Sequence, residues 1–195
     1  GAGAFSDGKL SLSPDVGGTL PEILGYEKAT ELINEADSIY LQFGADKKVY
    51  GIEDQQAITD IRTKAIRANL KLIECPIRHL GTEEGYKIYT RLQHHLLDAG
   101  VEILFRTMVT DIIIEDGVAK GVITDKSETY YAPEIVSGVG REGSEWFSHV
   151  CKGHSIETKN GTVDVGVRVE VRDEIMKELN DKLYEAKLVY YTPTF

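Results

Sequence analysis

The hydrophobic positions between Glu27 and Ala99 recur with a helical period. Spacings of i, i+3, i+4 and i+7 form one apolar face of an α-helix, and three such stretches occur here. They comprise Ala29, Leu32, Ile33, Ala36, Ile39, Tyr40 and Phe43, then Ile58, Ile61 and Ala65, and a third stretch that begins after Thr82 and ends at Ala99-Gly100. Residues 27–99 are therefore predicted to form a helical segment, with Thr82 as the N-cap of its last helix.

After Gly100 the hydrophobic period drops to two, which is typical of strands. Strands are predicted over residues 101–105, 109–115, 118–124 and 128–131. Asp116-Gly117 readily adopts the positive φ angles of a tight hairpin turn, so the last three strands should form a meander.

The rest of the chain is less regular. Residues 1–26 are rich in Gly, Pro, Ser and Asp and are predicted to form a loop. A short strand at 134–137, a glycine turn and a helix at 143–152 should complete the meander domain over residues 100–152. Residues 153–195 are predicted to begin a second, truncated α+β domain, with alternate valines in a strand at 163–171 and a last strand that lacks a partner.

Composition narrows the classes of partner. The chain has 195 residues, and 32 Asp and Glu against 22 Lys and Arg give a formal charge of −10. This balance argues against binding of nucleic acid or of an anionic membrane, because both attract basic surfaces. Cys75 and Cys151 lack a metal-ligand spacing, which favours a reducing, cytoplasmic setting. Because the sequence starts without Met, we expect a portion of a longer protein.

Residues 138–143 form a literal G-x-G-x-x-G pattern, Gly-Val-Gly-Arg-Glu-Gly. Glycines in this pattern let the backbone approach a pyrophosphate at a helix N-terminus. Glu157 lies at the distance expected for the acidic residue that binds ribose, but the stretch around it is too polar for a buried parallel strand. An independent nucleotide-binding domain that uses Gly138, Gly140 and Gly143 is one interpretation, and a purely structural turn is another.

The order of helix, strand, meander and glycine turn resembles the later part of the FAD-binding domain of two-dinucleotide-binding flavoproteins. The resemblance rests on a Leu-rich helix before Gly100-Val101-Glu102, on Val109-Thr110-Asp111-Ile112, on Asp116-Gly117 followed by Gly121-Val122, and on Ser137-Gly138-Val139-Gly140-Arg141. In that family the main chain at the position of Val109 lies against the adenine. The resemblance implies an α/β fold: a partial FAD/NAD(P)-binding, Rossmann-like domain followed by the start of a substrate domain.

The N-terminal GAGAFSDGKL, with His79-Leu80-Gly81-Thr82 and residues 138–146 and 165–170, is similar to bacterial FAD-dependent dehydrogenases of the NAD(FAD)-utilising type. In those proteins the first segment lies as a glycine loop along the flavin. The resemblance implies FAD as cofactor, NAD(P)H as a candidate electron donor and a small-molecule substrate. It also implies these cofactor-facing residues: Gly1, Ala2, Gly3, Ser6, Asp7, Gly8, Lys9, Val109, Gly138, Gly140 and Arg141. The segment that holds the pyrophosphate in that family has no counterpart in this sequence, so we expect an interior portion of the enzyme.

Two side chains are candidates for chemistry. A lysine beside the N1 and C2 carbonyl edge stabilises a reduced flavin, which is the role predicted for Lys9. His79 precedes a helix and titrates near neutral pH, so it is the candidate proton donor or substrate contact. A solvated turn lysine and a structural histidine are the alternatives. No metal site is predicted, because His94 and His95 point about 100° apart on one helix.

A non-catalytic interaction domain is a competing hypothesis from another class. Its basis is the acidic surface, the three helices and Tyr190-Tyr191, which we expect to be exposed.

Overall fold

The structure, a computed structural model, describes residues 8–161 and 163–192. The chain divides into two compact units: the first comprises the residues up to Val101 and those from Val169 onward, and the second is Glu102–Arg168. In chain order the elements are β1 (Lys9–Ser11), α1 (Leu20–Leu24), α2 (Tyr26–Gln42), α3 (Gln55–Arg67), β2 (Lys71–Ile73), β3 (Ile77–His79), α4 (Thr82–Asp98), β4 (Val109–Glu115), β5 (Val118–Thr124), β6 (Thr129–Tyr131), α5 (Ser144–Gly153), α6 (Asp173–Asn180) and β7 (Lys187–Val189).

The three long helices of the first unit are confirmed at the positions that the periodicity predicts. The N-cap of α4 is Gly81 with φ 71°, however, and not Thr82, which is already helical. A glycine adopts this positive φ without strain. The helix therefore begins at Thr82, one residue earlier than it would with Thr82 as its N-cap. The predicted loop over residues 1–26 is wrong at β1 and α1. Both elements are too short to show a period.

A first hydrophobic core forms where α3 packs on the pair β2 and β7. Ile58, Ile61 and Ala65 are buried as predicted, together with Leu72 and Leu183. β2 and β7 are antiparallel, with Leu72 opposite Leu188. The prediction that the last strand lacks a partner is therefore wrong, because its partner lies more than a hundred residues earlier in the chain.

The C-terminal elements consequently differ from the predicted domain limits. Residues 169–192 lie with the first unit and not with the stretch that starts at 153. The physical reason is that Leu179, Leu183 and Ala186 pack against the core formed by α3.

A second core lies between α2 and α4, where Ala45, Leu80 and Ile88 are buried. Leu10, Tyr40, Leu41 and Phe43 pack against it. The Tyr40 and Tyr89 rings meet edge to face at 6.0 Å between centroids, and their hydroxyl oxygens lie 3.2 Å apart. These contacts fix α4 against α2 just beyond the end of β3.

The second unit contains the predicted meander. β4, β5 and β6 pair in that order, all antiparallel. Asp116 and Gly117 have φ angles of 52° and 77°, which confirms the predicted turn. α5 is also confirmed, and the Trp146 indole N–H donates to the carbonyl of Thr110 at 2.8 Å, which ties α5 to β4.

Three predicted strands are wrong, because no described segment pairs with them. In residues 101–105, the Val101 N–H instead donates to the Leu96 carbonyl at 2.9 Å and completes the C-terminal turn of α4. Residues 134–137 follow Pro133, which has no N–H to donate, and Val136 is 95% exposed. Residues 163–171 alternate as a strand should, but Val165 is 95% exposed and the segment has no regular structure.

The fold is therefore a mixture of α-helices and β-strands, as predicted. In the described part of the chain every strand pairing is antiparallel, and the parallel sheet of a Rossmann fold is not among them. No helix in these residues combines the length and the apolar character needed to cross a membrane.

Candidate functional site

The pairing of β1 with β3 brings together the two side chains that the sequence singles out for chemistry. Lys9 lies directly opposite His79 in this antiparallel pair, and Ser11 lies opposite Ile77. Side chains that face each other across an antiparallel pair project from the same side of the sheet, and residues two apart on one strand share that side. Lys9, Ser11, Ile77 and His79 therefore form one surface.

The ring of Tyr184 lies over this surface. Its centroid is 5.3 Å from that of the His79 imidazole and 5.7 Å from the Lys9 ammonium nitrogen. The ring of Tyr50 contacts Tyr184 from another side, at 5.1 Å between centroids. We call Lys9, Tyr50, His79, Tyr184 and Glu185 the Lys9–His79 cluster.

An exposed ion pair joins the lysine of this cluster to a carboxylate. The Lys9 ammonium lies 3.9 Å from the Glu185 carboxylate, and the two side chains are 40% and 58% exposed. Exposed ion pairs at this distance contribute little to stability. The cluster therefore combines one ammonium, one imidazole and two phenol rings, with the Glu185 carboxylate near them.

Gly8 and a pair of backbone hydrogen bonds fix the main chain around the cluster. Gly8 has φ 64° and its carbonyl accepts the Leu80 N–H at 2.8 Å. A Cβ at Gly8 would lie 3.0 Å from the Leu80 Cβ, so both the φ angle and the close approach require glycine. Tyr50 and Ile77 exchange two backbone hydrogen bonds, at 2.8 and 3.1 Å, which extends the β1–β3 pair toward Tyr50.

Arg78, between the two outward residues of β3, points to the opposite side and is only 4% exposed. Its Nε and Nη2 donate to the two Asp37 carboxylate oxygens at 2.5 and 2.8 Å, and its Nη1 donates to the Asp46 carbonyl at 2.5 Å. The hydrogen bond to Asp37 raises the pKa of Arg78. This buried pair joins β3 to α2 and to the following loop, and thereby fixes the strand that carries His79.

A cavity of about 300 Å³ adjoins the cluster. Its polar lining consists of Lys9, Ser11, Cys75, Glu185 and Lys187, and its apolar lining includes Val16, Ile77 and Leu188. Burial raises the pKa of the Cys75 thiol, with the Lys187 charge opposing the rise. Cys75 is therefore a packed thiol and not an activated nucleophile.

The predicted cofactor residues of the second unit form a separate group. Val109 begins β4, opposite Thr124. Gly140 has φ 63°, and the Arg141 carbonyl accepts the Ser144 hydroxyl at 2.7 Å in the turn that leads into α5. A Cβ at Gly143 would lie 2.5 Å from the Val139 Cβ, whereas one at Gly138 would have no neighbour within 4 Å.

These glycines consequently form a tight turn into a helix, but without the preceding strand. The first, second and third glycine of the motif should each meet a neighbouring strand, helix or pyrophosphate in a dinucleotide fold. Here only the last of them is closely packed by protein, and no described strand leads into the turn. The geometry therefore favours the structural interpretation of the turn over an independent nucleotide-binding domain.

No protein-family model matches this sequence, and no curated protein matches it.

The remaining predicted cofactor residues, Gly1, Ala2, Gly3, Ser6 and Asp7, lie outside the described residues. Among the described residues, no three His, Cys, Asp or Glu side chains are grouped as metal ligands. Sequence reasoning missed Tyr184, Glu185 and Tyr50, which complete the cluster. No local sequence pattern indicates that these residues belong to the cluster, because only the tertiary fold brings the segment before β7 to the β1–β3 pair.

Proposed function

We propose that this chain is an interior portion of a bacterial FAD-dependent oxidoreductase of the two-dinucleotide-binding type. In this proposal the complete enzyme transfers hydride through flavin to or from a small-molecule substrate, and the chain contributes part of a Rossmann-like FAD-binding domain. The single observation that carries the proposal is the register of β1 and β3. It sets Lys9 opposite His79, the two residues selected from the flavoprotein resemblance.

The donor set of the Lys9–His79 cluster fits the edge of an isoalloxazine ring. That ring is flat and aromatic, and it carries carbonyl oxygens that accept hydrogen bonds. The rings of Tyr50 and Tyr184 offer aromatic contacts, and the Lys9 ammonium and the His79 imidazole supply donors on the same surface. Lys9 and His79 would hold the flavin edge, and Gly8 fixes the backbone that leads into β1.

A bound flavin supplies the hydride chemistry, and the protein sets charge and proton position around it. The Lys9 ammonium favours negative charge at its side of the site, because a cation stabilises a nearby anion. The His79 imidazole offers a ring N–H as a hydrogen-bond donor, and its contact with Tyr184 restricts the orientation of the ring. Arg78 acts on this site only through the position of β3.

In the second unit the turn at Gly140 supports the proposal. Gly140 adopts a φ that favours glycine, although a Cβ built at this position would meet no described atom within 4 Å. An open glycine turn before a helix is suited to close approach by a ligand.

The test is the visible absorbance spectrum of the natural full-length protein and of this chain, each incubated with excess FAD and desalted. We expect a flavin band in the full-length protein and none, or a much weaker one, in the chain alone. In the full-length protein Lys9→Met should lower the flavin reduction potential, while the matched change Lys47→Met, at an exposed lysine outside the cluster, leaves it unaltered.

Absence of a flavin band from the full-length protein would reject the proposal. Equal potentials for Lys9→Met and Lys47→Met would reject the role of Lys9 but not flavin binding itself.

A second candidate, a partner-binding domain, is favoured by one observation. Tyr190 and Tyr191 are 52% and 68% exposed, as predicted, and the valines of residues 163–171 are exposed as well. Exposed apolar side chains in such numbers are typical of interaction surfaces. Sedimentation of the full-length protein with Tyr190→Ser and Tyr191→Ser together tests it, since a partner-binding role predicts a smaller assembly.

A further inference from the structure

The cavity beside the Lys9–His79 cluster contains a polar atom that no described residue satisfies. The hydroxyl oxygen of Ser11 is shielded from solvent and has no hydrogen-bond partner in the part of the chain that the structure describes. Buried hydroxyls in folded proteins nearly always have a partner, because an unsatisfied one loses its hydrogen bonds to water without replacement. Ser11 lines the cavity, so a molecule inside it is a natural partner for this hydroxyl.

The charged groups of the cavity favour an anion. Among the described residues that line it, Lys9 and Lys187 contribute two ammonium groups and Glu185 one carboxylate, so this lining is locally positive in a protein of formal charge −10. At the Cys75 thiol, whose pKa is raised by burial, the Lys187 charge lowers the pKa, whereas Glu185 and Asp15 raise it.

The other walls favour an organic body over a bare inorganic ion. Val16, Ile77 and Leu188 supply apolar lining, and Ile77 is 3% exposed. A volume of about 300 Å³ is at the small end of ligand-binding pockets. The described residues of the lining include neither an arginine nor a helix N-terminus, which are the preferred groups for phosphate.

We infer that this cavity binds a small organic acid, with its carboxylate at Ser11, Lys9 and Lys187 and its short apolar body against Val16 and Ile77. The Ser11 hydroxyl donates to a carboxylate oxygen, and the two ammonium groups neutralise its charge. The inference goes beyond the proposed function and shares Lys9 with it, but binding of the acid does not require a flavin.

The experiment is an NMR titration of the protein with butyrate, a four-carbon acid with a short apolar chain. We expect saturable shifts of the backbone amide signals of residues 9–11 and 187–189. Lys187→Gln should weaken butyrate binding about tenfold, and Ser11→Ala should weaken it by at least about tenfold, as expected when a charge-assisted hydrogen bond is lost. Lys47→Gln, the exposed-lysine control, should leave the affinity unaltered.

Butylamine and inorganic phosphate distinguish the ligand class. Butylamine, of similar size and opposite charge, should not bind. Equal affinity for butylamine, the absence of saturation with butyrate, or unaltered affinity in Lys187→Gln would overturn the inference. Phosphate that binds as tightly as butyrate would overturn the organic-acid class.

The free energy of unfolding separates a binding role of Ser11 from a structural one. If the hydroxyl lacks a protein partner, Ser11→Ala should leave the ligand-free protein as stable as the parent, or more stable. A marked loss of stability would show that the hydroxyl bonds within the protein, and would overturn the assignment of Ser11 to the ligand.

Discussion

The two units of this chain are stabilised in different ways. The first unit joins segments far apart in sequence, through β1 with β3, β2 with β7 and the buried pair of Arg78 and Asp37. The second pairs neighbours, because β4, β5 and β6 follow one another and are joined by short turns. In the part of the chain that the structure describes, the second unit contributes only Ile112, Val150 and Cys151 to the buried hydrophobic residues. Long-range pairing thus coincides with a developed core, and local pairing with a sparse one.

The largest expected effect is on the buried ion pair of the first unit. Arg78→Met leaves the Asp37 carboxylate buried without its partner and removes the hydrogen bond to the Asp46 carbonyl. Breaking such a pair costs about 3–5 kcal/mol of unfolding free energy. Urea denaturation measures the loss. The control is Arg62→Met, which breaks an exposed pair with Glu74 and should cost less than about 1 kcal/mol. Similar losses for both variants would contradict a special role for the buried pair.

A pair of isoleucines compares the two cores directly. Ile58 is fully buried in the first unit and Ile112 is 8% exposed in the second. Ile58→Ala should cost about 2–5 kcal/mol, since the cavity is enclosed by packed neighbours. Ile112→Ala should cost less, because sparse surroundings collapse around the gap more easily. If thermal or urea unfolding gives the larger loss for Ile112→Ala, the contrast between the cores is wrong.

Trp146 tests how α5 is attached to the meander. Trp146→Phe keeps an aromatic ring but removes the N–H that donates to the Thr110 carbonyl, at an expected cost of about 0.5–1.5 kcal/mol. Amide hydrogen exchange should become faster within α5 and near the start of β4. Exchange rates that stay at parent values in both places would show that other contacts fix the helix.

The smallest effect concerns pH and the start of α3. The Asp54 carboxylate accepts hydrogen bonds from the Lys182 ammonium at 2.7 Å and from the Ala57 N–H at 3.0 Å, and these lower its pKa. A carboxylate whose pKa is lower in the folded protein stabilises the fold above its unfolded pKa, and this contribution disappears as the pH falls through the folded value.

Asp54→Asn keeps a capping side chain but has no charge to titrate. Its urea midpoint should therefore fall less than that of the parent between neutral pH and about pH 3. An identical fall in both proteins would show that Asp54 does not contribute to the acid sensitivity.

The sequence predicts the parts of this fold whose signals are local. The stripes of α2, α3 and α4 are long enough to show a period, and Asp116-Gly117 specifies its turn through backbone geometry. The alternate valines of residues 163–171 show the limit of this reasoning, because alternation describes a suitable strand but not the existence of a partner.

The sequence allowed individual residues of the candidate site to be predicted, but not their arrangement. Lys9, Gly8 and His79 could be selected from the sequence, but their adjacency could not, since strands of three residues carry no readable period. Tyr184 and Glu185 were not predictable at all, because their place depends on β7 returning to β2.

The pairing of β2 with β7 also orders events during synthesis of the chain. Proteins emerge from the ribosome with their N-terminal residues first, and units fold as they become complete. The meander of the second unit is complete once Tyr131 has emerged, whereas β2 must wait for Lys187–Val189. Until then the β2 edge remains an open template for foreign strands. A pause in translation between these two points would therefore expose the nascent first unit to aggregation while the meander had already paired.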